Sequence, residues 1–503
     1  MTALPDLLAR AMAAHRAGRF AEAGELYADC LARDPGNPDL LHLSGLLRYQ
    51  EGDNDAALDL VGRALVLRPA TPLYLGSRAA ILIACRRFAE ARTALETALG
   101  LKPDDPGLLT KMGQVLDRTG ETDAALASYG KAFAIDPSHA DALVNRGNLL
   151  ERLDRIDAAL ENLRAALALA PGNADILNNL GFACLSGKRL EEAERWFDRA
   201  IDAAPDHVEA HINRAHLYLL SGRFEAGWRE YEWRRRRPGW RIADIPSPEW
   251  RGEAIAGKRI LIVAEQGFGD SIQFCRHAAD LAALGAEVSL LVDPPVRGLL
   301  STVPGVSACH DSPAVIPVPD FHIPAMSLPF RLGIAGQSAD AAYLQPPSGM
   351  DKERGIGICI AGNPRHWNDR RRSLPAALAS QVPLFRRDGL VSLHRDAPYD
   401  AALPDSLCAR GDLADFTDLA RIVAGLDLVI AVDTAVAHLA GALGRPCWLL
   451  LPYLPDWRWG LEGDSTPLYP SLRLFRQDSP GDWEGVLDRV ASALDERGTL
   501  HHD

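Results

Sequence analysis

The sequence predicts two architectures in one chain, an α-helical solenoid followed by an α/β region of two doubly wound lobes. Three observations predict it. Prolines recur at a fixed interval of 34 residues from Pro35 to Pro205. After residue 258, apolar strand-like runs alternate with amphipathic helical ones. Between the two patterns, residues 238–257 carry Pro238, Pro246 and Pro248 with several glycines, the composition of a linker.

The first half divides at Pro35, Pro69, Pro103, Pro137, Pro171 and Pro205. With that proline as position 32, the units begin at residues 4, 38, 72, 106, 140 and 174. Position 8 is small throughout: Ala11, Gly45, Ala79, Gly113, Gly147, Gly181. Position 20 is alanine in every unit, from Ala23 to Ala193. Position 24 is large: Tyr27, Val61, Leu95, Tyr129, Leu163, Phe197. Position 27 is Cys30 and then alanine. Small residues at 8, 20 and 27 let two antiparallel helices approach, the large residue fills the space between them, and proline ends the second helix. These columns resemble the tetratricopeptide repeat (TPR) family over residues 4 to about 207. The stretch "HVEAHINRAHLYLLSGRFEAGWREYEWRRRR" keeps Ala215, Gly227 and Tyr231 in register but loses the proline. It reads as an atypical seventh unit, which sets the solenoid at 1–237, and its closing arginines suit a helix C-terminus.

A stacked solenoid offers a curved surface for extended peptides or protein faces. Asn145, Asn148, Asn178, Asn179 and Asn213 lie on first helices, which line the inner groove in such repeats. An amide side chain can donate to and accept from a peptide backbone, or it can hold neighbouring repeats together.

The second half begins with "KRILIVAE", a buried-strand run, then the glycine turn "QGFGD", then a helix. The alternation resumes at "GIGICIAGN" and continues to "RPCWLLLP". This sets lobes at 258–350 and 355–485 and a terminal helix and tail at 486–503. Parallel sheets of this kind bind ligands at the carboxyl ends of their strands.

Three stretches there carry candidate chemistry. In "AEQGFGDSIQF", Gly267 and Gly269 permit a tight turn, and Asp270 reads either as a helix cap or as a group acting on a ligand. The G-x-G-x-x-G dinucleotide fingerprint is absent, against a hydride-transfer enzyme. In "AVDTAVAHLAGALGRP", Asp433 ends a strand and Thr434 opens a helix whose first N–H groups, at Ala435 and Val436, suit phosphate oxygens. His438 shares a helix face with Thr434, as a further donor or as a core histidine. In "AGNPRHWNDRRRSLP", Asn363, His366 and Arg370 supply donors for a sugar or diphosphate, or form a solvated loop.

As a set, these stretches resemble the two-lobed GT-B glycosyltransferases with Rossmann-like lobes, and among them the ADP-heptose heptosyltransferases. Ala435 and Val436 stand where that group has glycine and leucine. The resemblance implies that Asp270 is a catalytic base and that the 433–438 stretch holds the donor nucleotide. With the repeats included, the chain is similar to bacterial flagellin glycosyltransferases, in which repeats hold flagellin and a CMP-activated nonulosonic acid is the donor. The implied activity is an inverting, metal-independent transfer from a nucleotide-sugar co-substrate to Ser or Thr of a protein, with no other cofactor. The alternative is a repeat scaffold carrying a degenerate transferase module.

Composition narrows the setting. A chain of 503 residues with 24% charged and 47% hydrophobic residues reads as soluble, and too long for one core. A net charge of -13 argues against a nucleic-acid-binding body. Eight cysteines without C-x-x-C pairing give neither a disulfide framework nor a zinc site. The N-terminus lacks the apolar core of a signal peptide, and no run approaches the roughly 20 apolar residues of a membrane span. The expectation is a cytoplasmic protein with no membrane span and no nucleic-acid partner.

Overall fold

The structure is a computed structural model and describes residues 3–336, 342–345, 355–366, 368–379, 390–394, 408–409 and 414–499. It divides into two compact units, Met1–Ala204 and Pro205–Asp503.

The first unit is six helical pairs. They are α1 (Leu4–Arg16) and α2 (Phe20–Arg33), α3 (Pro38–Gln50) and α4 (Asn54–Leu67), α5 (Pro72–Ala84) and α6 (Phe88–Leu101), α7 (Pro106–Arg118) and α8 (Thr122–Ile135), α9 (Ala140–Arg152) and α10 (Ile156–Leu169), α11 (Ala174–Ser186) and α12 (Leu190–Ala203). The six alanines at position 20 and the residues at position 27 are fully buried. A Cβ on Gly113 would lie 2.5 Å from the Tyr129 ring, and one on Gly181 would lie 2.5 Å from Phe197. Position 8 is therefore small because position 24 of the same pair occupies its space. Caps reinforce the starts: Asn37 accepts from the backbone of Asp39 and Leu40, and Asn173 from Ile176. The turn between the helices of each pair carries a left-handed residue, Gly18, Gly52, Arg86, Gly120, Asp154 and Lys188 in succession.

The second unit opens with the seventh pair, α13 (Val208–Leu220) and α14 (Phe224–Tyr231), continued by a 3-10 turn at Glu232–Arg236. The sequence expectation placed this pair in the solenoid; its contacts place it in the second unit. The reason is visible in its side chains. Trp228 packs edge-on against Phe274 and Trp457, with ring centroids 5.9 and 5.0 Å apart. Arg234 is buried and its guanidinium pairs with both carboxylate oxygens of Glu265, at 3.0 and 2.7 Å.

Two parallel sheets follow. The first comprises β1 (Arg259–Val263), β2 (Glu287–Leu291), β3 (Val306–His310) and β4 (Phe321–Pro324), in the order β3-β2-β1-β4. Its helices are α15 (Phe268–Phe274), α16 (Ala278–Ala283), α17 (Pro294–Leu300) and α18 (Leu328–Arg331). The second comprises β5 (Ile356–Cys359), β6 (Leu390–Ser392), β7 (Cys408–Ala409), β8 (Leu428–Val432), β9 (Cys447–Leu451) and β10 (Leu472–Arg476), in the order β10-β9-β8-β5-β6-β7. With it go α19 (Asp369–Arg372), α20 (Ala376–Ala379), α21 (Phe416–Gly425), α22 (Ala435–Ala442) and α23 (Trp483–Thr499). The central strands β8 and β9 are buried along their whole length, as parallel strands covered on both faces must be. Strand order reverses between β1 and β4 and between β5 and β8, so the loops after β1, β5 and β8 are the places where such sheets open a crevice. The expected break between the lobes, at 350–355, and the end of the tail, from 500, lie outside the described residues apart from residue 355. Among the described residues no helix is long and apolar enough to cross a membrane.

Candidate functional site

Each lobe sends one helix away from a strand's carboxyl end, α15 after β1 and α22 after β8. The two helices meet at their first turns. A Cβ on Gly269 would stand 2.9 Å from the His438 ring and 3.5 Å from the Ala435 Cα. Glycine at 269 is thus required by close approach between the lobes, which brings the 267–270 turn and the 433–438 stretch together.

Asp270 is the third residue of α15. One carboxylate oxygen accepts from the Gly267 backbone N–H at 3.0 Å, and the other takes a hydrogen bond from the Arg458 guanidinium. Gly267 is the helix N-cap, so Asp270 closes the cap from inside the helix rather than forming it. Its side chain keeps 22% exposure. Burial raises the Asp270 pKa, with the Arg458 charge opposing that rise.

Arg458 is the hub; the sequence reading placed it with Asp456 in "PYLPDWRWG" at a strand end, and left open whether the aromatics of that stretch stack on a ligand or wall the cleft. It stands in the 3-10 turn Trp457–Trp459, after β9. Its guanidinium donates to Asp270 and Gln273 on the first lobe and to Asp456, at 2.8 Å, on the second. Burial works against its charge, but Asp456 and Asp270 hold its pKa above the usual value. Burial likewise raises the Asp456 carboxyl, and Arg458 more than reverses it, leaving that pKa lowered. The signal that could have found Arg458 is an arginine flanked by tryptophans beyond a strand end, but its partners lie 188 and 185 residues away.

Asp433 is half-buried at the end of β8, and its carboxyl is pushed up to about 6 by burial and by Asp456. The Thr434 hydroxyl donates back to the Val432 carbonyl at 3.2 Å. Ala435 is half-buried and Val436 buried, at the open end of α22. His438 is 5% exposed, its Nδ1 sits 3.0 Å from the Tyr469 hydroxyl, and burial pushes its pKa down to about 3. It is a neutral core histidine between Gly269 and Tyr469, which removes it from the set of groups lining open space.

The loop after β5 is joined to Asp433 by Arg372, whose guanidinium donates to the Asp433 carbonyl at 3.0 Å and packs against Gly362. Arg370, Asn363 and His366 are exposed. Asn363 accepts from the Arg365 N–H, and His366 Nδ1 accepts from the Asn368 N–H, so both shape their own turn.

In the solenoid, the Asn145 amide donates to the Asp141 carbonyl of its own helix. Asn178 is buried; Asn148 and Asn179 are half-buried. Asn213 lies on α13 and so belongs to the second unit.

Comparison with known proteins agrees with the first half. Two tetratricopeptide repeat family models match, one at residues 14–81 and the other at 110–173 and 145–208. Protein FlbA of Caulobacter vibrioides is 29% identical over 329 residues, 56% of this chain and 54% of its own. The chain therefore spans about half the length of that relative. Among solved structures, the Cut9–Hcn1 hetero-tetramer of APC/C aligns at 18% identity and TM-score 0.40, over 42% of each chain. The thermophilic TPR protein TTC0263 of Thermus thermophilus aligns at 25% identity and TM-score 0.34, over 36% of this chain and all of its own.

Proposed function

We propose that the chain is a protein O-glycosyltransferase that takes a sugar from a nucleotide-sugar donor and places it on serine or threonine of a protein held by the repeats. A CMP-activated nonulosonic acid is the candidate donor and flagellin the candidate acceptor, both from the sequence resemblance. The observation that carries the reading is the meeting of α15 and α22 at the carboxyl ends of two parallel sheets, with Asp270, Asp433 and Asp456 gathered around Arg458. Ligand sites of doubly wound folds lie at such ends. The two lobes would then be those of a GT-B enzyme.

In this reading the donor phosphates lie against the first turn of α22, where the Ala435 and Val436 N–H groups point outward, within reach of Arg372 and Arg458. Arg458 exchanges Asp270 for a phosphate oxygen. The released carboxylate, its pKa already raised by burial, takes the acceptor hydroxyl's proton as the sugar–phosphate bond breaks. Arg458 then stabilises the charge that develops on the leaving phosphate. Donor binding and base release are one event, which disfavours proton transfer before the donor is seated.

One observation favours a second reading, a protein-binding scaffold. The crevice between the helices is occupied by the Gly269–His438 contact and the Asp270–Arg458 pair. Thermal unfolding with CMP, UDP, GDP and ADP separates the two. The transferase reading expects one nucleotide to raise Tm, by about 2.7 kcal/mol of stabilisation at a hundredfold excess over Kd. It expects Arg458→Gln to lose most of that rise. No shift with any nucleotide at millimolar concentration supports the scaffold.

A further inference from the structure

Arg458 is held by acceptors of two kinds. Its Nη1 donates to Asp456 at 2.8 Å and its Nη2 to Asp270, both carboxylates. Its Nε donates to the side-chain oxygen of Gln273, a neutral amide that is 4% exposed. Asp456 also accepts the Arg458 backbone N–H at 3.1 Å as the cap of the 3-10 turn, so it fixes the arginine within its own turn. Asp270 and Gln273 lie one helical turn apart on α15 and share a face of it, so both reach Arg458 from the first lobe. The guanidinium carbon lies over two aromatic rings, 4.5 Å from the Trp457 centroid and 5.9 Å from that of Phe274. Polar recognition is thereby left to the edge of the planar group, where its N–H bonds point.

We propose that Gln273 is a positioning residue, which aims the Arg458 guanidinium at the donor phosphate without competing for its charge. The proposal rests on the transferase reading, in which a phosphate oxygen takes the place of Asp270 on Arg458. At that moment the arginine gives up its Asp270 contact, and the Gln273 amide keeps it tied to the first lobe. The bond at Nε also fixes the rotation of the planar group. The edge that faced Asp270 therefore stays where the phosphate arrives. Charge explains why the holder is an amide. Asp270 and Asp456 already set two carboxyl groups against one cation. A carboxylate at 273 would hold Nε more strongly and, as a further anion, repel the incoming phosphate. An apolar side chain would take that acceptor from a buried N–H and leave the guanidinium free to turn. The amide supplies the acceptor and no charge. Gln273 exchanges no proton and acts on the donor only through Arg458.

The test uses the full chain, titrated with CMP, UDP, GDP and ADP well below the Tm of each variant. Gln273→Glu is expected to weaken binding of the nucleotide that the native chain takes by at least about tenfold, with Tm unchanged or raised. Gln273→Met, which removes the acceptor at similar length, is expected to weaken it by a similar factor while lowering Tm. With purified flagellin and a CMP-activated nonulosonic acid, Gln273→Glu is expected to raise the donor KM and leave the acceptor KM unchanged. An amide with a structural role alone would lower Tm on substitution and leave nucleotide affinity native. Native affinity in either variant therefore overturns the proposal and leaves the transferase reading intact. So does an equal rise in both KM values. Absence of binding of all four nucleotides by the native chain overturns the transferase reading, and the proposal with it.

Discussion

Asp433 shows how one half-buried carboxyl ties stability to the site. Its pKa rises from 3.8 to about 6, a difference of about 3 kcal/mol between protonation states. Because the folded value is the higher one, the stabilising contribution is complete below about pH 4 and is lost as pH rises through 6. Asp433→Asn is therefore expected to gain stability relative to native between pH 4 and pH 7, read as a widening Tm difference. A difference that stays flat over that range contradicts the assigned burial. A second residue-scale prediction concerns Arg86, exposed and held at φ 59° where three of the other five regular repeats have glycine. Arg86→Gly is expected to stabilise the solenoid by about 1 kcal/mol, measured by denaturant unfolding. A loss of stability of that size would show that the arginine's contacts outweigh its backbone strain.

Glycines sort the helical elements into those that need the absent side chain and those that do not. In α7, Gly113 faces Tyr129; in α8, Gly130 has open space around its missing Cβ. Gly113→Ala is expected to lower stability by about 1–3 kcal/mol, and Gly130→Ala to raise it by about 0.5–1 kcal/mol. Equal effects of one sign would contradict the packing. This contrast was legible in the sequence, because position 8 and position 24 recur together and each repeat restates the rule. The first-turn contact between α15 and α22 was legible only as two separate motifs. Nothing in "GFGD" or "DTAVAH" says that Gly269 touches His438, since that contact joins residues 169 positions apart. His438 was for the same reason open to two readings, and its burial against Tyr469 decides for the core.

At the scale of the whole molecule, the periodic half was readable and the site only partly so. Repetition carries information about local packing; ion pairs between distant segments carry none. Thus "WRRRRP" reads as a helix end, while the structure gives each arginine its own acid. Arg234 reaches Glu265, whose side chain has 0% exposure. Arg236 meets Asp206 in the open, with exposures of 60% and 90%. Arg234→Met, which strands a buried carboxylate, is expected to cost about 3–5 kcal/mol, and Arg236→Ala less than about 1 kcal/mol, in denaturant titrations of the full chain. Similar losses at both positions would contradict the seventh pair's place in the second unit. The central claim, sugar transfer to a protein, is tested most directly by the intact mass of purified flagellin after incubation with the chain and a CMP-activated nonulosonic acid. The account predicts a mass increase in whole sugar units with the native chain and none with Asp270→Asn. An acceptor mass unchanged by the native chain, whether the donor carries CMP, UDP, GDP or ADP, would contradict it.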